Sequence, residues 1–284
     1  MFAVSLREKH QTFITFYDVS KAFDTVDNQD MLKIIWDKGI RGKTWRILKN
    51  LNTELKAAVK TRYGVTEEIE MEVGGRQGSR LTGCMFAKLK DLLAEEVMAA
   101  GKGFKMTEEF TIGVLLWMDD VISGVDGYEN HKDILARITN FAKLHKLKWG
   151  QNKCKVMKIG KKYEHEEFDL SEMKISTWDT YTYLGDVIPP DGKNTANIKH
   201  RKNKLNTTSI SITTIASSEI LYKIETPVLL ELHERINIPS LLTNSESWTL
   251  LKGEEKEIEQ AKIQCLKNLF NLPLKTPTPA IIFT

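Results

Sequence analysis

The 284-residue chain is long enough for one large domain or two modest ones, and 41% hydrophobic residues are ample material for a core. A net charge of +3 does not by itself announce a nucleic-acid binder, and three scattered cysteines and six histidines show neither a disulfide framework nor metal-ligand spacing. No apolar run is long enough to span a bilayer, and the N-terminal MFAVSLREKH is too short and mixed for a signal peptide, so the chain reads as soluble and intracellular, with no membrane partner.

Taken in chain order, TFITFYDV (12–19) is aromatic and β-branched and predicts a strand ending in Asp18. A helix follows through NQDMLKIIWDKG, with Asp27 as its N-cap and Gly39 as its stop, and RGKTWRILKNLN predicts a second, shorter one. LKAAVKTRYGVTEEIEMEVGG carries a hairpin pattern, in whose second arm Ile69, Met71 and Val73 alternate with Glu68, Glu70 and Glu72, one face inward and one to solvent. After GGRQGS (74–79) a long helix fits 79–100, with Leu81, Met85, Leu89, Leu92 and Val97 at helical spacing and Gly101 closing it. Residues 110–124 read as two short strands around a turn at Asp119, followed by a helix over 128–147 and the strand CKVMKIG. MKIST together with YTYLGDVI predicts a further hairpin. PPDGKN (189–194) is the clearest break, and beyond it 198–272 are helical in pattern, most strongly in LKGEEKEIEQAKIQCLKNLFNL. This order is α+β, a mostly antiparallel sheet backed by helices, with a helical C-terminal region.

Three stretches carry candidate chemistry. In GVLLWMDDVISG the carboxylates Asp119 and Asp120 adjoin a run apolar enough for a buried strand. Two like charges about 4 Å apart cost roughly 1 kcal/mol even in water, and more near a low-dielectric surface. A lone DD is more often a solvated turn. Here the flanking LLW and VIS offer no local Lys or Arg, which favours a divalent cation. Asp18 ends a second apolar strand, and Mg²⁺ takes one or two carboxylates together with substrate phosphates. Asp27 is better read as a helix cap, while Asp24 stands evenly between cap and ligand. GGRQGS opens a helix and suits an anion or a close-approaching backbone, although such turns are more often structural. Between Phe141 and Tyr163 lie Lys143, Lys146, Lys148, Lys153, Lys155, Lys158, Lys161 and Lys162 with no acid, a solvated face or a phosphate-contacting one. Trp117, Trp149, Trp178 and Trp248 read as core residues, and Tyr183 as a base-stacking candidate.

Strand-Asp, Gly-rich turn and helix, Asp-Asp hairpin and lysine-bearing strand, in that order, resemble a polymerase palm, and the chain is similar to the reverse transcriptase domain of non-LTR (LINE-like) retrotransposons over nearly its whole length. The resemblance implies a palm over 1–190, with the fingers subdomain missing at its N-terminal end, and a helical thumb and post-thumb region over 191–284. FYDVSKAFDTVD then implicates Asp18 and the Val19 carbonyl in metal binding and Phe23 beside the nucleotide's 2′ position. GGRQGSRLTGCMFAKL points to Arg76, Gln77 and Gly78 near nucleotide and template, and WMDD to Asp119 and Asp120 as metal ligands. KLKWGQNKCKVM points to Lys153 on the pyrophosphate side, and YLGDVI to a primer grip at Tyr183, Leu184 and Gly185. Arg80 and Gly83 stand where the family usually has prolines, and Ala87 and Gly150 where it has Asn. The implied activity is RNA-directed DNA synthesis by two-metal phosphoryl transfer, with Mg²⁺ (or Mn²⁺), an RNA template, a DNA primer and deoxynucleoside triphosphates as cofactor and partners. The alternative is a non-catalytic remnant that binds RNA or primer-template. Either would act in the nucleus or cytoplasm.

Overall fold

The computed structural model describes residues 11–21, 25–71, 73–75, 80–150, 152–160, 167–216, 224–273 and 275–277. They form two compact units, 1–179 and 180–284. In the first, Thr12–Asp18 makes strand β1, buried at every position before Asp18. Such a continuous run, rather than an alternating one, is what a central strand covered on both faces requires. Its sheet neighbours come from far along the chain. The elements between are α1 (Asn28–Asp37), α2 (Gly42–Asn52), β2 (Leu55–Ala57), β3 (Lys60–Thr61), β4 (Gly64–Val65), β5 (Ile69–Met71) and α3 (Arg80–Met98). After these come β6 (Phe104–Lys105), β7 (Thr111–Ile112), β8 (Val114–Trp117), β9 (Asp120–Asp126), α4 (Tyr128–Leu144), β10 (Lys155–Ile159), β11 (Glu167–Leu170) and β12 (Met173–Ser176). The main sheet has the order β10-β1-β9-β8, and every pairing in it is antiparallel.

The helices close over this sheet by their apolar stripes. Met31, Leu32, Ile34 and Ile35 of α1, Met85, Phe86, Leu89, Leu93 and Val97 of α3, and Ile134, Leu135 and Ile138 of α4 join Phe13, Tyr17, Val121 and Val125 in one core. Each fully buried aliphatic side chain of this kind contributes about 1.5–3 kcal/mol. The start of α1 is capped as its sequence predicts: the Asp27 carboxylate accepts from the backbone N–H of Gln29 and Asp30. The end of α3 is followed by Gly101 at φ +62°, a conformation glycine adopts without cost.

The second unit holds β13 (Tyr181–Tyr183), β14 (Asp186–Ile188), α5 (Thr195–Ala216), α6 (Thr226–Leu232), a π-helical turn (His233–Asn237), α7 (Ile238–Leu242) and α8 (Lys252–Leu269). Ile198, Leu205, Leu241, Ile258 and Cys265 form its core. Among the described residues no helix is long and apolar enough to cross a membrane.

Two sequence expectations are corrected. Ile69 and Val73 are exposed and Met71 only half-buried, because among the described residues β5 pairs with β2 in a two-stranded ribbon outside the main sheet. The predicted hairpin of MKIST with YTYLGDVI is two hairpins: β12 pairs with β11, and β13 with β14. Leu184 and Gly185, at φ +48° and +88°, join β13 to β14. Two successive positive φ values make the turn whose twist suits a two-residue hairpin loop, so Tyr181–Tyr183 folds back on its immediate neighbour.

Candidate active site

The two acid-bearing strands end side by side. In the β1–β9 register Asp18 lies opposite Asp120, and across β8–β9 Asp120 lies opposite Trp117. That leaves Met118 and Asp119 as the loop, with Met118 at φ +47°. A positive φ at the first loop position matches the right-handed twist of the strands, and an unbranched non-glycine residue there stores backbone strain. Asp119 is exposed, whereas Asp18 and Asp120 are half-buried. Val19 continues β1, buried and bridged to Trp149.

A tight turn after Trp149 brings Lys153 to the same place. The Gly150 amide donates to the Asp18 carbonyl oxygen at 2.7 Å, and the Lys153 amide to the Gly150 carbonyl at 3.2 Å. Lys153 Nζ then donates to Asp18 Oδ1 at 3.3 Å. A Cβ on residue 150 would fall 2.4 Å from Asp18 Oδ2, so the absence of a side chain there leaves room for the carboxylate. Asp18 Oδ2 is buried and has no hydrogen-bond partner among the described residues. An orphaned, buried carboxylate oxygen beside two more acids is a hard-oxygen donor set suited to Mg²⁺. Among the described residues no three such side chains converge closely enough to hold an ion alone. The residues fit a cation that shares its coordination with a ligand.

Burial, and then the neighbouring Asp119, raise the Asp120 carboxyl above its usual range, while Lys90 opposes the shift. The flanking LLW and VIS offer no basic residue, but Lys90, 30 positions away in the chain, supplies one. It stands on α3, 5% exposed, and its Nζ donates to the Asp120 carbonyl oxygen at 3.2 Å. Burial pulls the ammonium down to about 8, against the pull of Asp119 and Asp120. Sequence contained a signal for it, a lysine on the helical stripe of Phe86, Leu89, Leu93 and Val97, where an unpaired charge has no place. Cys154 Sγ accepts from the Asp18 amide at 3.3 Å, and burial pushes its thiol up to about 11, so it serves as a neutral packing group.

Tyr183, Leu184 and Gly185 form the β13–β14 turn in the second unit, where Arg201 pairs with Asp186 and Asn244 Nδ2 donates to the Leu184 carbonyl at 2.9 Å. Phe23, Asp24, Arg76, Gln77, Gly78, Lys161 and Lys162 lie outside the described residues. Of the tryptophans, Trp149 is buried and Trp248 half-buried. Trp117 and Trp178 are exposed, contrary to expectation, because Trp117 ends the edge strand β8 and Trp178 instead carries the Lys155 ammonium, 3.1 Å from its ring centroid. Within the lysine run, Lys146 pairs with Asp27 and Lys153 with Asp18.

The family described as Reverse transcriptase (RNA-dependent DNA polymerase) matches residues 3–188, well over half the chain and all of the acid-bearing strands. Among solved structures, the chain is similar to telomerase from Candida albicans in complex with a TWJ fragment of telomeric RNA, at 10% identity and a TM-score of 0.52, over 99% of this chain and 50% of that one. Telomerase from Candida tropicalis in complex with a TWJ fragment of telomeric RNA matches at 12% identity and a TM-score of 0.45, over 99% of this chain and 51% of that one. The chain thus spans about half the length of these relatives, and the likeness to the first is one of fold: α+β, with helices on an antiparallel sheet. Sheet order, paired acids and family match together lead to one conclusion: the chain belongs to the reverse transcriptase (RNA-dependent DNA polymerase) family.

Proposed function

We propose that the chain is the RNA-directed DNA polymerase of a mobile element of the non-LTR, LINE-like kind, extending a DNA primer on an RNA template by two-metal phosphoryl transfer. The observation that carries this reading is the placement of Asp18 opposite Asp120, with Asp119 at the adjoining turn. Asp18, Asp119 and Asp120, with the Val19 carbonyl, are the ligands of Mg²⁺ or Mn²⁺ in this reading. Bound cations would supply neutralisation of the phosphates and activation of the primer hydroxyl.

The protein's own part is positioning. The β1–β9 ladder holds Asp18 and Asp120 at fixed separation, Gly150 leaves the Asp18 carboxylate unobstructed, and Lys153 offers an exposed ammonium to the departing pyrophosphate. Phe23, Arg76, Gln77 and Gly78 are assigned to the deoxynucleotide and template, and Tyr183, Leu184 and Gly185 to the primer, with 1–190 as palm and 191–284 as thumb and post-thumb region. An intracellular location, nuclear or cytoplasmic, goes with this reading.

Primer extension on an RNA template with Mg²⁺ or Mn²⁺ tests it, with Asp119→Asn alongside. The expected result is extension by the parent and a loss of at least about a hundredfold in the variant. A folded parent that binds RNA in a salt-sensitive way yet extends nothing would replace this reading with the non-catalytic remnant. Equal extension by both proteins would show that Asp119 has no part in the chemistry.

A further inference from the structure

Lys90 sits on the buried stripe of α3, and its ammonium donates to the main chain of the acid turn. Its Nζ reaches the Asp120 carbonyl oxygen from the core side, while the exposed face of the turn presents Asp119 to solvent. The ammonium also lies over the Phe86 ring, 5.4 Å from its centroid. Burying a lysine is costly unless something compensates, and what meets this ammonium is the Asp120 carbonyl oxygen at 3.2 Å, on the turn that bears the two carboxylates.

We propose that Lys90 is a positioning residue and resident counter-cation of the acid turn, seating Asp120 through its carbonyl oxygen and setting, by its fixed charge, the affinity of Asp18, Asp119 and Asp120 for a divalent cation. The inference rests on reading those carboxylates as cation ligands. A fixed positive charge beneath them offsets their mutual repulsion before a cation arrives and repels the cation when it does. The site is therefore held in shape without being held shut. Loss of the charge strengthens cation binding, and loss of the hydrogen bond loosens the turn.

The two effects separate in two variants. Lys90→Met removes charge and donor, while Lys90→Gln removes the charge but keeps an N–H donor. The full chain is titrated with Mn²⁺ alone at pH 7, with no nucleotide or nucleic acid, and free Mn²⁺ is followed by electron paramagnetic resonance, with Asp18→Asn as the reference for loss of a ligand. Both Lys90 variants are expected to bind Mn²⁺ about tenfold more tightly than the parent, and Asp18→Asn more weakly. In primer extension, Lys90→Met is expected to lower kcat about tenfold with KM for the primer-template unchanged, and Lys90→Gln to recover part of that loss. Should Lys90→Met fail to give the parent's circular dichroism spectrum, Lys90→Gln alone decides the charge effect.

Unchanged or weaker Mn²⁺ binding in the Lys90 variants, with Asp18→Asn still defective, overturns the role of Lys90 and leaves the cation site standing. Mn²⁺ binding by the parent no stronger than by Asp18→Asn overturns both.

Discussion

At the scale of single residues, the site depends as much on an absent side chain as on the acids. Gly150 faces Asp18 at a distance that any Cβ would violate, and the carboxylate, being the end of a side chain, would be what moves. Gly150→Ala is therefore expected to leave the melting temperature nearly unchanged while lowering primer extension at least about tenfold, since a displacement of about 1 Å at a reacting centre costs one to two orders of magnitude. An alanine variant with full activity would show that the position of the Asp18 carboxylate is not critical. The missing side chain also leaves a buried Asp18 oxygen that no donor reaches among the described residues.

At the scale of elements, caps and ties set the ends. Asp27 caps α1 and also pairs with Lys146 at 2.7 Å. Lys146, chiefly, and the two capped amides hold its carboxyl below the usual range. A folded-state value below the unfolded one means that the stabilisation is present at neutral pH and is lost as pH falls below about 4 and through the folded value. Asp27→Ala is expected to cost about 1 kcal/mol in urea denaturation at pH 7, and less at pH 3. The β13–β14 turn is tied more deeply. Arg201 is 1% exposed and pairs with Asp186, and a Cβ on Gly185 would touch its guanidinium at 3.4 Å. Removing one partner strands the other's charge, so Arg201→Met is expected to destabilise the second unit by about 3 kcal/mol or more in the same measurement. A cost under 1 kcal/mol would mean that Asp186 relaxes into water.

At the scale of the whole molecule, the core itself carries a pH dependence. His131, fully buried, stacks on Phe13 with centroids 4.7 Å apart and shares a 2.7 Å hydrogen bond with Thr15. Burial, and then Lys158, lower its pKa from 6.5 to about 3. The fold favours the neutral ring, so stability is complete above the unfolded value and falls as pH drops from about 6.5 toward the folded value. Thermal melts between pH 7 and 4 are expected to show a declining melting temperature in the parent and a flatter profile in His131→Gln. Equal slopes would assign the acid sensitivity elsewhere.

The strand that ends in Asp18, the cap at Asp27, the long helix closed near Gly101 and the acid turn were all legible in the chain, because each is written in residues within one or two turns of one another. The partner of MKIST, the exposure of Ile69 and Val73, and the surface tryptophans were not, since pairing and cover come from segments the pattern does not name. Sequence alone determined which acids end apolar strands and in what order, because period and punctuation are short-range properties of the backbone. Only the tertiary structure decided that Asp18 faces Asp120, that Gly150 makes room for it and that Lys90 lies beneath the turn. Those relations join residues 30 to more than 130 positions apart, and desolvation and charge compensation exist only once such residues exclude water from one another.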